Sequence, residues 1–218
     1  MLKRINEPDL MESKEQASAY ANADFTDANN IFVDKLIACS KITKMTKILD
    51  VGCGDGEIPI SIYGKYKCKI TALDGSESML EEFSKKLSKS QVNAIDVIHQ
   101  RYENHTLEKK SFDIVMSNSV LHHVASPKFF WKSIINLTKG GGRVCVMDLV
   151  RPSDECNLSN ILKKYGGTDP VLLNDFENSL RAAYTIDEVI NQLSSITNIS
   201  SSVKLISDRH FFVTIDLK

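Results

Sequence analysis

The sequence predicts an α/β fold: a mostly parallel sheet of seven strands, finished by a C-terminal antiparallel hairpin and covered by helices on both faces. Three observations carry this. Strand-like apolar runs and helix-period segments alternate five times between residues 47 and 148, the pattern of βαβ units around a parallel sheet. The first of those runs ends in alternating glycines, Gly52, Gly54 and Gly56. The last two runs, near 203–207 and 211–217, are separated by the short turn Asp208-Arg209-His210, a length that suits antiparallel pairing.

The elements follow in order. Residues 1–45 read as helices that form a lid. Asp27 is a candidate N-cap, and Ile31, Phe32, Leu36 and Cys39 lie at the spacing of one helix face. KILDV (47–51) is a short buried-type strand, and Pro59 falls in the first turn of the helix after it, where proline is tolerated. CKITALD (68–74) is the second strand. Ser76 can cap the next helix, whose apolar stripe is Met79, Leu80, Phe83 and Leu87. AIDVIH (94–99) and FDIVMS (112–117) are the third and fourth strands. Ser126-Pro127 starts a helix, Gly140-Gly141-Gly142 ends it, and RVCVMD (143–148) is the fifth strand. Beyond Arg151-Pro152 the character changes. Helices are expected near 158–165 and 171–183, and the capping box Thr185–Glu188 opens a third. The chain thus divides into an N-terminal helical lid (1–45), a core (46–150), a helical substrate-side insertion (151–184), and a last helix with the terminal hairpin (185–218). All four belong to one domain.

Composition excludes several function classes. Lys and Arg total 27 against 28 Asp and Glu, and that balance argues against a protein that grips nucleic acid by neutralising phosphates. No apolar run approaches the roughly 18–20 residues of a membrane span. The opening MLKRINEPDLMESKEQ lacks the apolar centre of a secretory signal. The five cysteines include no CxxC pair, so neither a zinc ribbon nor a disulfide framework is expected. A reducing cytoplasm fits these features. No metal site is expected.

The sharpest signal is ILDVGCGDGEIPI (48–60). Glycines at a strand end allow a tight turn and close approach of backbone to a ligand. The helix that follows offers free N–H groups. Asp74 closes the second strand, where a carboxylate can accept hydrogen bonds from a ribose diol. The spacing is D-x-G-x-G-x-G, and Glu57 stands where a dinucleotide-binding loop has its third glycine. A carboxylate there repels a pyrophosphate and favours a cationic ligand group, as does Asp50.

At this point the chain resembles the class I S-adenosylmethionine-dependent methyltransferases of the small-molecule type. ILDVGCGDG, ALDGSESML (72–80), SFDIVMSNSVLHHV (111–124) and TKGGGRVCVMDL (138–149) match four family motifs in order. The resemblance implies a Rossmann-like fold and S-adenosylmethionine as cofactor, with S-adenosylhomocysteine as product. It implies that Asp50, Gly52, Cys53, Gly54 and Asn118 hold the methionyl end and that Asp74 and Gly75 hold ribose. Met79, Arg101 and Tyr102 would then enclose adenine. One departure stands out: where the family often has Gly-Asp after the third strand, this chain has Gln100-Arg101. Arginine cannot accept the adenine amino hydrogen, so the role passes to backbone near Tyr102, to stacking by Arg101, or to Glu103.

His122 and His123 follow the fourth strand at the ligand edge of the sheet, and either can serve as general base, since imidazole titrates near working pH. Adjacent residues there are expected to point apart, with one facing substrate. For the acceptor, Arg151, Arg181 and Arg209 are candidates to grip a carboxylate or phosphate, with Arg151 best placed. Tyr20, Tyr184, Phe25 and His210 are candidate pocket residues. The fourth-strand segment has no Asn/Asp-Pro-Pro-aromatic motif, which disfavours adenine or cytosine amino methylation. The expected function is methyl transfer to a small molecule, its accepting atom (O, N, C or S) unresolved. RNA or protein methylation and a non-catalytic cofactor-binding subunit are the alternatives. Oligomeric state is left open.

Overall fold

The structure, a computed structural model, describes residues 2–7 and 13–218. Seven strands form one sheet: β1 Lys47–Val51, β2 Lys69–Asp74, β3 Ile95–His99, β4 Phe112–Asn118, β5 Thr138–Leu149, β6 Ile199–Leu205 and β7 His210–Leu217. Their order is β3-β2-β1-β4-β5-β7-β6. β1 to β5 are parallel, and β7 runs antiparallel to both β5 and β6. This is the sheet the sequence predicts. The chain steps outward from β1 to β3, then returns to β4 on the other flank of β1. That reversal opens a crevice at the carboxyl ends of β1 and β4, where open α/β sheets hold ligands.

The helices are α1 Lys14–Asn22, α2 Thr26–Cys39, α3 Glu57–Tyr66, α4 Glu77–Lys86, α5 Lys89–Val92, α6 Pro127–Leu137, α7 Glu155–Tyr165, α8 Pro170–Ala182 and α9 Ile186–Ser194. Strand alternation sorts them onto two faces. Ile48, Ile114, Met116, Cys145, Met147 and Phe212 point to one face, under Phe32 and Leu36 of α2, Ile62 of α3 and Phe83 of α4. Leu49, Val115, Val144, Val146, Phe211 and Val213 point to the other, under Phe130, Trp131 and Ile134 of α6 and Val189 and Leu193 of α9. α7 and α8 pack through a smaller cluster of Leu149, Leu158, Ile161, Leu180 and Ala183.

Two of the four expected caps, Ser76 and Thr185, form with side-chain bonds, and Asp169 adds one the sequence reading did not include. The Ser76 hydroxyl accepts from Met79 N–H at 3.3 Å, Asp169 caps α8 with Pro170 at its first position, and Thr185–Glu188 closes a reciprocal capping box. Ser126 occupies the cap position of α6 without a side-chain cap bond. Asp27 is not the cap of α2: it lies in the first turn, and Phe25 holds the cap position.

Three further expectations are corrected. The run Gly140-Gly141-Gly142 lies inside β5, which already starts at Thr138. Thr138 Oγ1 donates to Ile134 O at 2.8 Å and ends α6 before the glycines. The β4–β5 register shifts there, and a Cβ on Gly142 would come within 2.9 Å of Asp113 O, so glycine admits the bulge. β6 begins at Ile199 instead of 203, because an edge strand tolerates the polar run Ser200–Ser202. Residues 2–7 carry no regular secondary structure and run as a strap instead of a helix; residues 1 and 8–12, also read as helical, lie outside the described residues.

Candidate active site

The glycine loop closes the end of β1. Gly52 and Cys53 N–H groups donate to Leu73 O at 2.7 and 3.1 Å, tying the loop to β2. Gly56 has φ +81°, and a Cβ there would sit 2.0 Å from the Phe83 ring. Only glycine satisfies both the left-handed backbone and the contact. The loop borders a cavity of about 520 Å³ at the carboxyl edge of the sheet, within the usual range for small-molecule sites.

Asp74 organises this loop. Its Oδ2 accepts Gly54 N–H and its Oδ1 accepts Ser76 N–H, both at 2.8 Å. Gly75 N–H is a further backbone donor to this carboxylate, which lines the cavity as a hydrogen-bond acceptor. Asp50 is 2% exposed. Burial, and then the nearby Asp74 charge, push its pKa up to about 8. Asn118 Oδ1 is buried beside the same cavity without a hydrogen-bond partner. A buried unpaired acceptor next to a buried carboxyl is costly unless a cationic donor fills the space between them. An α-ammonium group fits that demand, and a phosphate does not.

All ten residues assigned to the cofactor from sequence line this one cavity: Asp50, Gly52, Cys53, Gly54, Asp74, Gly75, Met79, Arg101, Tyr102 and Asn118. Glu57 lines it too, held by Asn29 Nδ2 at 3.0 Å and Lys86 Nζ at 3.2 Å. Glu103 also reaches the cavity, with Arg101 Nε 3.8 Å from its carboxylate. It is the acidic group nearest in sequence to the Gln100-Arg101 departure. Tyr102 stands edge-on to Phe130, centroids 5.3 Å apart.

The other end of the cavity carries the histidines. The chain turns through a 3-10 segment at Leu121–His123, which brings both rings to the cavity with centroids 4.1 Å apart. The expectation that only one would face it is corrected: a 3-10 turn angles neighbouring side chains more closely than a strand does. His122 Nδ1 meets Asp148 Oδ1 at 2.6 Å, and its backbone N–H donates to Asp148 Oδ2 at 3.1 Å. Burial opposes the charged ring, but Asp148 and Glu7 outweigh it, and the His122 pKa is raised. Burial and the neighbouring His122 push the His123 pKa down to about 3. Asp148→Asn is therefore expected to lower the His122 pKa, read by ring-proton NMR titration against a His122→Gln assignment control.

Two of these partners are absent from the sequence reading. Asp148 ends the fifth strand as an ordinary strand residue. Glu7 comes from the strap, its carboxylate 3.4 Å from His123 Nδ1 and 3.8 Å from His122 Nε2, with Ser179 Oγ donating at 3.1 Å. The strap is pinned by Arg4, whose Nη2 donates to His122 O at 2.8 Å and whose guanidinium lies 4.0 Å over the Tyr184 ring.

The acceptor candidates divide. Tyr20 lines the cavity, stacked on Phe25 at 4.3 Å, and Arg209 and His210 line it as well. Arg151 does not: it is 6% exposed, with its guanidinium given to Ala183 O and Glu188 Oε1 at 2.9 and 2.7 Å. Arg181 is spent on Glu155 and Glu177. Tyr184 donates its hydroxyl to Val124 O at 3.0 Å and lies under Arg4. These three are structural parts of the insertion and are not brought to the cavity.

Comparison with known proteins agrees with this geometry. Residues 49–146 match the family model described as a methyltransferase domain. The chain is 33% identical over 107 residues to the mitochondrial ubiquinone biosynthesis O-methyltransferase of Schizosaccharomyces pombe, covering 48% of this chain and 38% of that one. It is 27% identical over 110 residues to demethylmenaquinone methyltransferase of Bacillus cereus, covering 50% and 46%. The match thus spans less than half the length of these curated relatives. Among solved structures, the plantazolicin methyltransferase BpumL in complex with a desmethyl analogue and S-adenosylhomocysteine superposes with TM-score 0.73 at 12% identity, over 94% of this chain and 90% of that one. An S-adenosylmethionine-dependent methyltransferase from Aquifex aeolicus gives 0.70 at 16% identity, over 94% and 99%. Motif order, sheet order and family match agree: residues 49–146 are similar to a methyltransferase domain, and the seven-stranded fold is the one these solved methyltransferases share.

Proposed function

We propose that the protein binds S-adenosylmethionine in the 520 Å³ cavity and transfers its methyl group to a small-molecule acceptor. The observation that carries this reading is the trio around the glycine loop. Asp50 and the orphaned Asn118 Oδ1 call for an ammonium group, and Asp74 lines the cavity as an acceptor for a diol. The cofactor supplies a methyl group already activated on a sulfonium, so the protein's task is to hold two reactants in line and exclude water. Asp50 and Asn118 anchor the methionyl end, Asp74 orients ribose, and Met79, Arg101 and Tyr102 enclose the base. Asp148 fixes the His122 ring through Nδ1, and Nε2, 3.8 Å from Glu7 Oε2, is the ring nitrogen left to take the proton that the accepting atom loses. The free cysteines support a reducing cytoplasm as its location, and no helix among the described residues is long and apolar enough to cross a membrane.

Proton linkage gives this site a signature. With an Asp50 pKa of about 8, the carboxyl is mostly protonated near neutrality when no cation faces it. The ligand's ammonium favours the charged carboxylate, so binding near pH 7 is expected to release a proton. Affinity should rise from about pH 6 to about pH 8 and then level off. Calorimetry in buffers of different ionisation enthalpy reads the release, and Asp50→Asn should abolish it. Methyl transfer itself is tested by incubating the protein with methyl-labelled S-adenosylmethionine and a fractionated cell extract. Label in a low-molecular-weight fraction is expected; label confined to RNA or protein, or no transfer at all, contradicts the reading.

A further inference from the structure

Of the arginines that line the cavity, Arg209 stands at the acceptor end, at the tip of the β6–β7 hairpin beside His210. Its guanidinium carbon lies 3.4 Å over the Tyr165 ring, and its side chain is 15% exposed. Arginine has five N–H donors. Among the described residues one of them is taken up, weakly, through Nη1 and Asp208 Oδ1 at 3.5 Å. Asp208 is already engaged, its Oδ2 accepting from Lys164 Nζ at 2.9 Å and Tyr165 Oη at 2.7 Å. One carboxylate shared by two cations leaves the shelf net positive. His210 adds no charge, because burial holds its pKa down to about 4. Asp175, on the α8 wall, faces Gln16 Nε2 at 3.3 Å.

The shelf is also preorganised. Arg209 O accepts Val150 N–H at 2.8 Å, and Ser207 Oγ accepts from the Arg209 and His210 N–H groups at 3.3 and 3.0 Å. Stacking on Tyr165 fixes the guanidinium plane and leaves its N–H edge free, the geometry that meets an oxyanion with two parallel hydrogen bonds. Leu149, Leu172 and Phe176 make the adjoining wall apolar.

We infer that the Arg209–Tyr165 shelf is an oxyanion subsite, and that the methyl acceptor is an apolar or aromatic molecule bearing a carboxylate or phosphate. This rests on the methyltransferase reading of the cavity. The subsite holds the acceptor's charged end, while His122 and His123 face the end that is methylated. It also explains why Arg151 and Arg181 can be structural: the anion partner comes from the hairpin.

The test uses benzoate, phenyl phosphate and the neutral benzamide as probes, titrated by ligand-observed NMR with and without S-adenosylhomocysteine. At least one of the two anions should bind about tenfold or more tightly than benzamide, and their ranking distinguishes carboxylate from phosphate. Arg209→Met should erase the preference, and Arg209→Lys, which keeps the charge but not the fork, should retain part of it. Both variants should bind S-adenosylhomocysteine like the parent protein, which shows that they fold. Equal binding of benzamide and the anions, an intact preference in Arg209→Met, or no binding by either anion overturns the subsite. Failure of S-adenosylhomocysteine to bind, with the anion preference intact, overturns the cofactor reading and leaves the subsite standing.

Discussion

Replacing Asp74 by alanine is expected to weaken S-adenosylhomocysteine binding by more than about tenfold. Two losses combine. The ribose loses a charge-assisted acceptor, and hydrogen bonds to charged groups contribute about 1.5–3 kcal/mol. The glycine loop loses the group that collects the Gly54 and Ser76 N–H donors at 2.8 Å, so its backbone is no longer held in the ligand-ready shape. Asp74→Asn is no milder in kind. An amide has one acceptor oxygen, so its NH₂ must face one of two N–H donors. Calorimetry on folded variants checks both. Affinity unchanged within twofold (about 0.4 kcal/mol) removes Asp74 from the ribose assignment.

Gly56→Ala is expected to have the largest effect on stability. Gly56 has φ +81°, and the new Cβ would lie 2.0 Å from Phe83, whose ring is fully buried between α4 and the sheet. A left-handed backbone costs an L-residue about 1–2 kcal/mol, and overpacking a rigid core costs about 1–3 kcal/mol. The sum is about 3 kcal/mol, or about 6–12 °C in Tm for a chain of this size. Gly64 is the control. It lies inside α3 with open space where its Cβ would be, so Gly64→Ala should be neutral or stabilising by up to about 1 kcal/mol. Equal Tm for the two variants would contradict the tight packing of the loop against α4.

What could be read from the sequence was what is local in the sequence. The glycine loop, Asp74 at the end of the next strand, and the pair His122-His123 after the fourth each sit within a few residues, and strand and helix periods identify the elements that carry them. All ten cofactor-side residues accordingly meet in one cavity. The acceptor side is assembled from distant segments, and there local signals mislead. Arg151 follows β5 directly and looks aimed at substrate. Its partner is Glu188, a capping-box residue that uses one oxygen on Thr185 N–H and the other on Arg151. Glu177, one helical turn before Arg181, was a readable sign that this arginine is paired. Nothing local announced that Glu7, His122 and Asp148 would converge, because the strap's path depends on tertiary contacts such as Leu2 N–H to Ser153 O and Ile5 N–H to Arg181 O, both 3.1 Å. The glycines of 140–142 read as a helix stop because that is their usual meaning. Here the stop is the Thr138 hydroxyl on Ile134 O, and the glycines serve the bulge between β4 and β5.

The central claim is that the cavity around Asp50, Asp74 and Asn118 takes a ligand with an ammonium group at one end and a ribose diol at the other. The most direct measurement is calorimetric titration of the purified protein with S-adenosylhomocysteine near pH 7, with NAD in a parallel cell. Low-micromolar, proton-releasing binding of S-adenosylhomocysteine and no binding of NAD is the expected result. Binding of NAD, or of neither ligand, would contradict it.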